Sequence, residues 1–465
     1  MQKNKLLKIV LSSLALVAAS QVQAYTVQEA VAYTLQTSPD LMINVQIREQ
    51  ANKEFRSAYA DYLPTINVNG GTGQENTNNS TTRGGRLDGA SYRTMSRREF
   101  NATASQLLFD GFGVMHNVSG KKSRVKAAAL RVNSSAQEQA LLVVDAFIEM
   151  HLTRSIVEIA QRNLSAHQTI YGQIEKRSEG GIGRKADLDQ ALGRLALARS
   201  NLLGAQANLR DAETKYLRVV GKIPTDIEKP EMPSSGFPAD LEEAINRGLN
   251  NNPELTATHY DVDVTRAEYR SARSQFVPRV TLDAGIQRNQ NIDGSRGDND
   301  KNFAMLRFNW NVFKGGGDVA NLCRIAHKNQ EAQEVRNRAH RQVIEQVRYA
   351  WNLYDTARRQ LVDLKTHRDA SYRTREAYQK QFDIGQRTLL DLLDSENELF
   401  TASSNYFQGE ADVLVGMYRI LNAMGTITQY FGIALPKAAV KSADAQFDGS
   451  GPFFEKTDKS FDNAI

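Results

Sequence analysis

The chain has 465 residues, a formal charge of +5 and a single cysteine, Cys323, so it has the length of two or three ordinary domains and no intrachain disulfide framework. Three of its positive charges, Lys3, Lys5 and Lys8, stand at the start; without them the balance is about +2, which gives no case for nucleic acid as a partner. No run of 18 apolar residues occurs, which argues against a transmembrane helix and leaves membrane-spanning strands, whose hydropathy signal is weaker, open.

Residues 1–24 have the form of a secretory signal peptide. The three lysines are followed by an apolar run from Ile9 to Ala19, interrupted by Ser12 and Ser13, and then by the small-residue cleavage site Val22-Gln23-Ala24. The expected mature chain begins at Tyr25. No cysteine follows the cleavage site, so an exported protein without a lipid anchor is expected.

Beyond Tyr25 one unit is written twice. Gln28-Glu29-Ala30-Val31 is echoed by Glu242-Glu243-Ala244-Ile245, Ser38-Pro39-Asp40-Leu41 by Asn252-Pro253-Glu254-Leu255, Arg56-Ser57-Ala58 by Arg270-Ser271-Ala272, and Leu63-Pro64 by Val277-Pro278, all 214 residues apart. From Leu108-Phe109-Asp110-Gly111, matched by Val312-Phe313-Lys314-Gly315, the spacing is 204 residues; it holds for Asp187-Leu188 with Asp391-Leu392 and for Gly221 with Gly425. The change falls between Gly71 and Phe100, a polar stretch read as a loop, where length varies at little cost. Four prolines (Pro224, Pro230, Pro233 and Pro238) crowd the joint. The expected organisation is repeat one over 25–222, a linker over 223–237, repeat two over 238–432 and a flexible tail over 433–465.

Each repeat predicts a short helix (about 26–36, or 239–250), a medium helix (about 40–62, or 254–276), two strands around a polar loop, and a long helical hairpin. Pro64 and Pro278 end the medium helices, and the apolar period then changes from 3.6 to 2, as in Thr65-Ile66-Asn67-Val68-Asn69 and in Val280, Leu282, Ala284 and Ile286. Phe100 to Ala104 and Leu306 to Val312 are the return strands. Long helices run to about 178 and 384, and their partners return to about 220 and 424. Apolar steps of four and three (Val343, Val347, Ala350, Tyr354, Ala357, Leu361, Leu364; Val143, Ala146, Met150, Thr153, Val157, Ala160, Leu164) mark a coiled-coil seam.

Four strands cannot close a barrel, and open edges are not viable in lipid. Three chains would supply twelve strands around a lumen, with Asn67, Asn69, Arg307, Asn309 and Asn311 facing water and Ile66, Phe308 and Trp310 facing lipid. The expected fold is therefore mainly α with a β membrane part, and the bland alternative is a structural or adhesive coiled-coil surface protein without a channel. The second hairpin tip, Gln381 to Asp394, sets Arg387 four residues before Asp391 and places Asp391 and Asp394 three apart on one helix face. Copies of this tip around an axis would form a ring of carboxylates. By itself, an acid in a first helical turn only complements the helix dipole.

These residues resemble the TolC family of outer-membrane channel proteins over nearly the whole mature chain. The resemblance rests on Glu29-Ala30 with Pro39-Asp40-Leu41, the Leu63-Pro64 switch, Phe109-Asp110-Gly111, the duplication, and Ile384 to Asp394. It implies a homotrimer with a twelve-stranded transmembrane barrel in the outer membrane of a Gram-negative cell, continued by a periplasmic α-helical barrel. It also implies a periplasmic adaptor and an inner-membrane ABC or proton-driven transporter as partners, and a passive export duct, slightly favouring type I secretion of proteins over drug efflux, with no enzymatic activity and no cofactor. By the same resemblance Asp391 and Asp394 form the periplasmic constriction, where clustered like charges raise carboxyl pKa values and attract cations, while Arg387 and Asp187 tie the closed tip. Phe382 stands where the family's best-known member has a tyrosine, and Ala186 where it has a threonine, so the closing network must differ there.

Gly180-Gly181-Ile182-Gly183-Arg184-Lys185 lacks the Lys-Ser/Thr ending of a phosphate loop and is read as a turn. The seven histidines show no ligand spacing, and no nucleophile–base constellation stands out.

Overall fold

A computed structural model of the chain describes residues 25–84, 91–181, 184–222 and 226–439. The expected signal peptide, Ile182 and Gly183 of the first tip turn, Pro224 of the linker and the tail beyond Ala439 lie outside the described residues. The elements in chain order are α1 (Val27–Thr37), α2 (Pro39–Ala60), β1 (Thr65–Thr77), β2 (Arg93–Phe109), α3 (Gly113–Glu179), α4 (Lys185–Val220), α5 (Leu241–Asn251), α6 (Pro253–Ala272), β3 (Arg279–Gln290), β4 (Asp298–Asn309), α7 (Gly317–Asp383), α8 (Leu389–Ala423) and the short α9 (Ile427–Tyr430). Helix, helix, strand, strand, long helix, long helix thus occurs twice.

The helix starts follow from local chemistry. Thr26 accepts from the amide of Glu29 while the Glu29 carboxylate accepts from the amide of Thr26, a reciprocal cap. In the second copy Asp240 accepts from the Glu243 amide at 2.8 Å. Asp110, from the Phe-Asp-Gly corner, accepts from the Val114 amide at 2.8 Å and so opens α3.

Two compact units emerge, and neither is a sequence repeat. One comprises residues up to Ile43, Asn133–Pro253 and Arg341–Pro436; the other comprises Asn44–Val132, Glu254–His340 and the residues from Lys437. Each unit draws on both halves: α3 and α7 carry one end of their sequence in each, while α4 and α8 lie wholly in the first.

In the first unit the predicted seam is partly buried and partly half-buried, the latter at Thr153, Val157, Tyr354, Leu361 and Leu364. Val143, Ala146, Met150 and Ala160 on α3, and Val343, Val347, Ala350 and Ala357 on α7, are all under one tenth exposed. Thr153 satisfies its hydroxyl on the Glu149 carbonyl at 2.9 Å, the usual escape for a threonine inside a helix. Small residues let the helices approach. A Cβ on Gly416 of α8 would stand 2.9 Å from the Tyr354 Cα, so only glycine fits there. The described linker residues pack on this unit: Tyr25 bridges to Ile227, Phe237 sits edge-on to Tyr354 at 5.1 Å, and Tyr418 donates to the Glu231 carbonyl at 3.1 Å.

In the second unit the four strands form one antiparallel sheet in the order β1-β2-β3-β4. The strands are longer than the alternation predicted: β1 extends to Thr77 and β2 starts at Arg93, so the loop is much shorter than the polar stretch Gly71–Phe100. Polar residues there misled the reading, because in a strand with no dry face they carry no loop signal. In the second repeat β4 stops at Asn309, leaving Trp310 to Val312 outside it, and a 3₁₀ turn, Arg273–Phe276, replaces the end of the expected medium helix. The tail, expected to be flexible from residue 433, begins with a 3₁₀ turn, Lys437–Ala439, in which Ala438 and Ala439 are buried.

The register Ile66↔Ala104↔Ala284↔Ala304 puts Ile66, Val68, Ala102, Ile286, Leu306 and Phe308 on one face of the sheet. The register Asn67↔Thr103↔Gly285↔Phe303 puts Asn67, Asn69, Ser105, Asp283, Arg307 and Asn309 on the other. Asp283 accepts from Ser105 at 2.5 Å and pairs with Arg307 across the polar face. Ile66 is 71% and Phe308 62% exposed: in the single chain the apolar face covers nothing.

Candidate functional site at the hairpin tips

The two tips meet over a small apolar core of Ile170 and Ile174 from α3, Ala191 from α4, Phe382 from α7, and Leu389, Leu392 and Leu393 from α8. Helix α7 ends at Asp383 because the chain turns through Gly385, whose φ of 76° is left-handed; the Gly385 amide donates to the Phe382 carbonyl at 3.0 Å and the Gln386 amide to Gln381 at 2.8 Å. Thr388 then caps α8, accepting from the Asp391 amide at 3.3 Å and donating to the Asp391 carboxylate at 2.8 Å.

Arg387 lies 3.9 Å over the Tyr378 ring, and its Nη1 is 3.7 Å from Asp391 Oδ2. Its Nε is buried with no hydrogen-bond partner. Asp187 stands inside the first turn of α4, whose N-cap is Arg184, and among the described residues it makes no ion pair; in the single chain Arg387 lies against Asp391 and not against Asp187. Phe382 is 4% exposed, with the Arg177 guanidinium 5.0 Å over its ring.

Asp394 is held by Arg194 of α4 at 2.7 Å. Spacing could not reveal this pair, because its residues lie 200 apart in sequence on different hairpins. Two buried groups also escaped the sequence reading. Glu396, 6% exposed, faces Arg375 Nε at 3.5 Å, and its backbone carbonyl accepts from Asn163 at 3.4 Å; burial pushes its carboxyl above the usual range, with Arg375 opposing. His167, 3% exposed, has an unpartnered Nδ1; burial, then the charge of Arg194, push its pKa down, so it stays neutral. A cleft of 380 Å³ between α3, α7 and α8 is lined by Arg162, Asn163, Arg368, Tyr372 and Arg375, with Glu396 at its floor.

The site therefore brings together two carboxylates at the start of α8, Asp391 with an arginine of its own tip and Asp394 with an arginine of the first hairpin. No helix among the described residues is long and apolar enough to cross a membrane.

The family of outer membrane efflux proteins matches the chain twice, over residues 30–222 and again over 244–426. The chain belongs to that family. Among curated relatives it is 25% identical to the outer membrane efflux protein BepC of Brucella suis, over 74% of this chain and 75% of BepC. It is 23% identical to the alkaline protease secretion protein AprF of Pseudomonas aeruginosa, over 85% of this chain and 83% of AprF. With the outer membrane protein TolC of Escherichia coli it shares 21% identity over 90% of this chain and 85% of TolC. Among solved structures, the Campylobacter jejuni CmeC outer membrane channel superposes with a TM-score of 0.76 at 14% identity, covering 86% of each chain. The fold is that of the TolC-like outer-membrane channels, and the TolC-family resemblance read from the motifs is correct.

Proposed function

We propose that this outer-membrane protein is the exit duct of a tripartite export system. It would receive substrate from an inner-membrane transporter through a periplasmic adaptor and would perform no chemistry itself. The observation that carries the reading is the four-stranded sheet: its apolar face carries the exposed side chains of Ile66, Val68, Leu306 and Phe308, and within the chain β1 and β4 each have one unpaired edge. Such edges demand closure in a membrane. Three copies would close twelve strands, with Asn67, Asn69 and Arg307 toward the lumen and Ile66 and Phe308 toward lipid.

At the hairpin tips, three copies would gather Asp391 and Asp394 into the constriction. Arg387 would close it, reaching Asp187 in the assembled state, with Phe382 supplying apolar packing where a hydroxyl would otherwise bond. Protein export is the substrate class we put ahead of small-molecule efflux on the general resemblance alone; the relatives include AprF, named for protease secretion, and BepC, named for efflux.

Deleting the gene tests this reading. The expected result is loss of a secreted protein from the medium with little change in drug sensitivity, and a protein that floats with outer-membrane vesicles as a trimer. A monomer in the soluble periplasm would contradict it and favour a structural coiled-coil role.

A further inference from the structure

Arg387 and Asp391 are four residues apart on one hairpin, so their contact cannot hold two hairpins together. Arg194 and Asp394 differ in this respect: the arginine is on α4 of the first hairpin and the aspartate on α8 of the second. At this level Ala191 of α4 and Leu392 and Leu393 of α8 also share the apolar core. Apolar contact is non-directional and survives sliding; a 2.7 Å charge-assisted hydrogen bond does not.

The surroundings leave Arg194 one carboxylate. It is two helical turns beyond Asp187, and Ala191 and Leu195 on either side of it are buried, which puts it at the rim of the buried stripe. The buried His167, whose pKa the charge of Arg194 helps to lower, offers no anion. Of the neighbouring acids on α8, Asp391 is engaged with Arg387 and Glu396 with Arg375 of α7. Arg194 and Asp394 are 30% and 55% exposed, so the pair is a weak one of the kind that forms and breaks reversibly.

We propose that Arg194 is a second gate residue: by holding Asp394 it clasps the first hairpin of each chain to the second and keeps the entrance closed. This rests on the duct reading above. Each copy contributes one clasp, and three together bias the closed state by roughly tenfold. The clasp also offsets half of the constriction's carboxylate charge until it opens.

The test is the open probability of the purified protein in planar bilayers, for wild type, Arg194→Gln, Arg194→Lys, Asp394→Asn and the double variant Arg194→Gln with Asp394→Asn. The expected result is about tenfold more frequent opening in Arg194→Gln, with near-normal closure in Arg194→Lys and no further opening when Arg194→Gln is added to Asp394→Asn. Equal opening of wild type and Arg194→Gln would overturn the clasp and leave the duct standing. Further opening on adding Arg194→Gln to Asp394→Asn would overturn the pairing and show that Arg194 acts through some group other than Asp394. No current from any folded variant would overturn the duct and the clasp with it.

Discussion

Arg387 rests 3.9 Å over the ring of Tyr378 while its buried Nε has no hydrogen-bond partner. A buried donor left unmade costs about 1–3 kcal/mol, and the cation–π contact returns part of that. In a closed assembly a carboxylate brought to Nε would return the remainder, and Asp187 is the acid we assign to that role. Tyr378→Leu removes the platform and leaves the charge. The expected outcome is an entrance that opens more often than wild type and less often than Arg387→Ser, read as single-channel open probability.

Glu396 gives a pH dependence with a definite sign. Burial raises its carboxyl above the ordinary value, so the folded tip holds the proton more tightly than the unfolded chain does. The resulting stability is complete below the ordinary glutamate range, about pH 4.3, and is lost as pH rises through the raised folded value. Glu396→Gln removes this titration, and Arg375 keeps Glu376 at 2.8 Å as a partner. Relative to wild type, the variant is expected to gain stability as pH rises from 4 to 8, read as the difference between the two thermal midpoints at each pH. His167 is present in both proteins and cancels from the difference.

Gly416 tests the helix packing. A methyl there meets backbone, the Tyr354 Cα at 2.9 Å, which cannot swing away as a side-chain end could. Gly416→Val is expected to cost roughly 1–3 kcal/mol, seen as a lower thermal midpoint and less assembled protein in the outer membrane.

The two sheet faces separate by charge substitution. Lysine at Ile286, on the apolar face, is expected to destabilise by about 2–4 kcal/mol if that face meets the bilayer core. Lysine at Asn67, one register position away on the polar face, is expected to leave assembly intact and to lower cation conductance. Urea-dependent folding into vesicles reads the first effect and bilayer current the second.

Periodicity carried most of the helical part. Val343, Val347, Ala350 and Ala357 of the seam are buried as their spacing implied, and the long helices end at Glu179 and Asp383, where the tip glycines begin. The strands were legible only at their apolar ends. Gly70 to Thr77 of β1 and Arg93 to Glu99 of β2 are paired by backbone hydrogen bonds, and both faces there are polar enough to read as loop. At the tip, Arg387 and Asp391 could be read because their contact is local. Arg194 with Asp394, and Glu396 with Arg375, could not, because those contacts depend on how the hairpins pack and nothing in the spacing of residues encodes it.

The most direct test of a gated duct is single-channel current through the purified protein, wild type beside Arg387→Ser, with divalent cations added on the side of the helix tips. The account predicts low current in wild type, severalfold more in the variant, and block of both by the cations. Well-folded oligomers that pass no current in either form would contradict it.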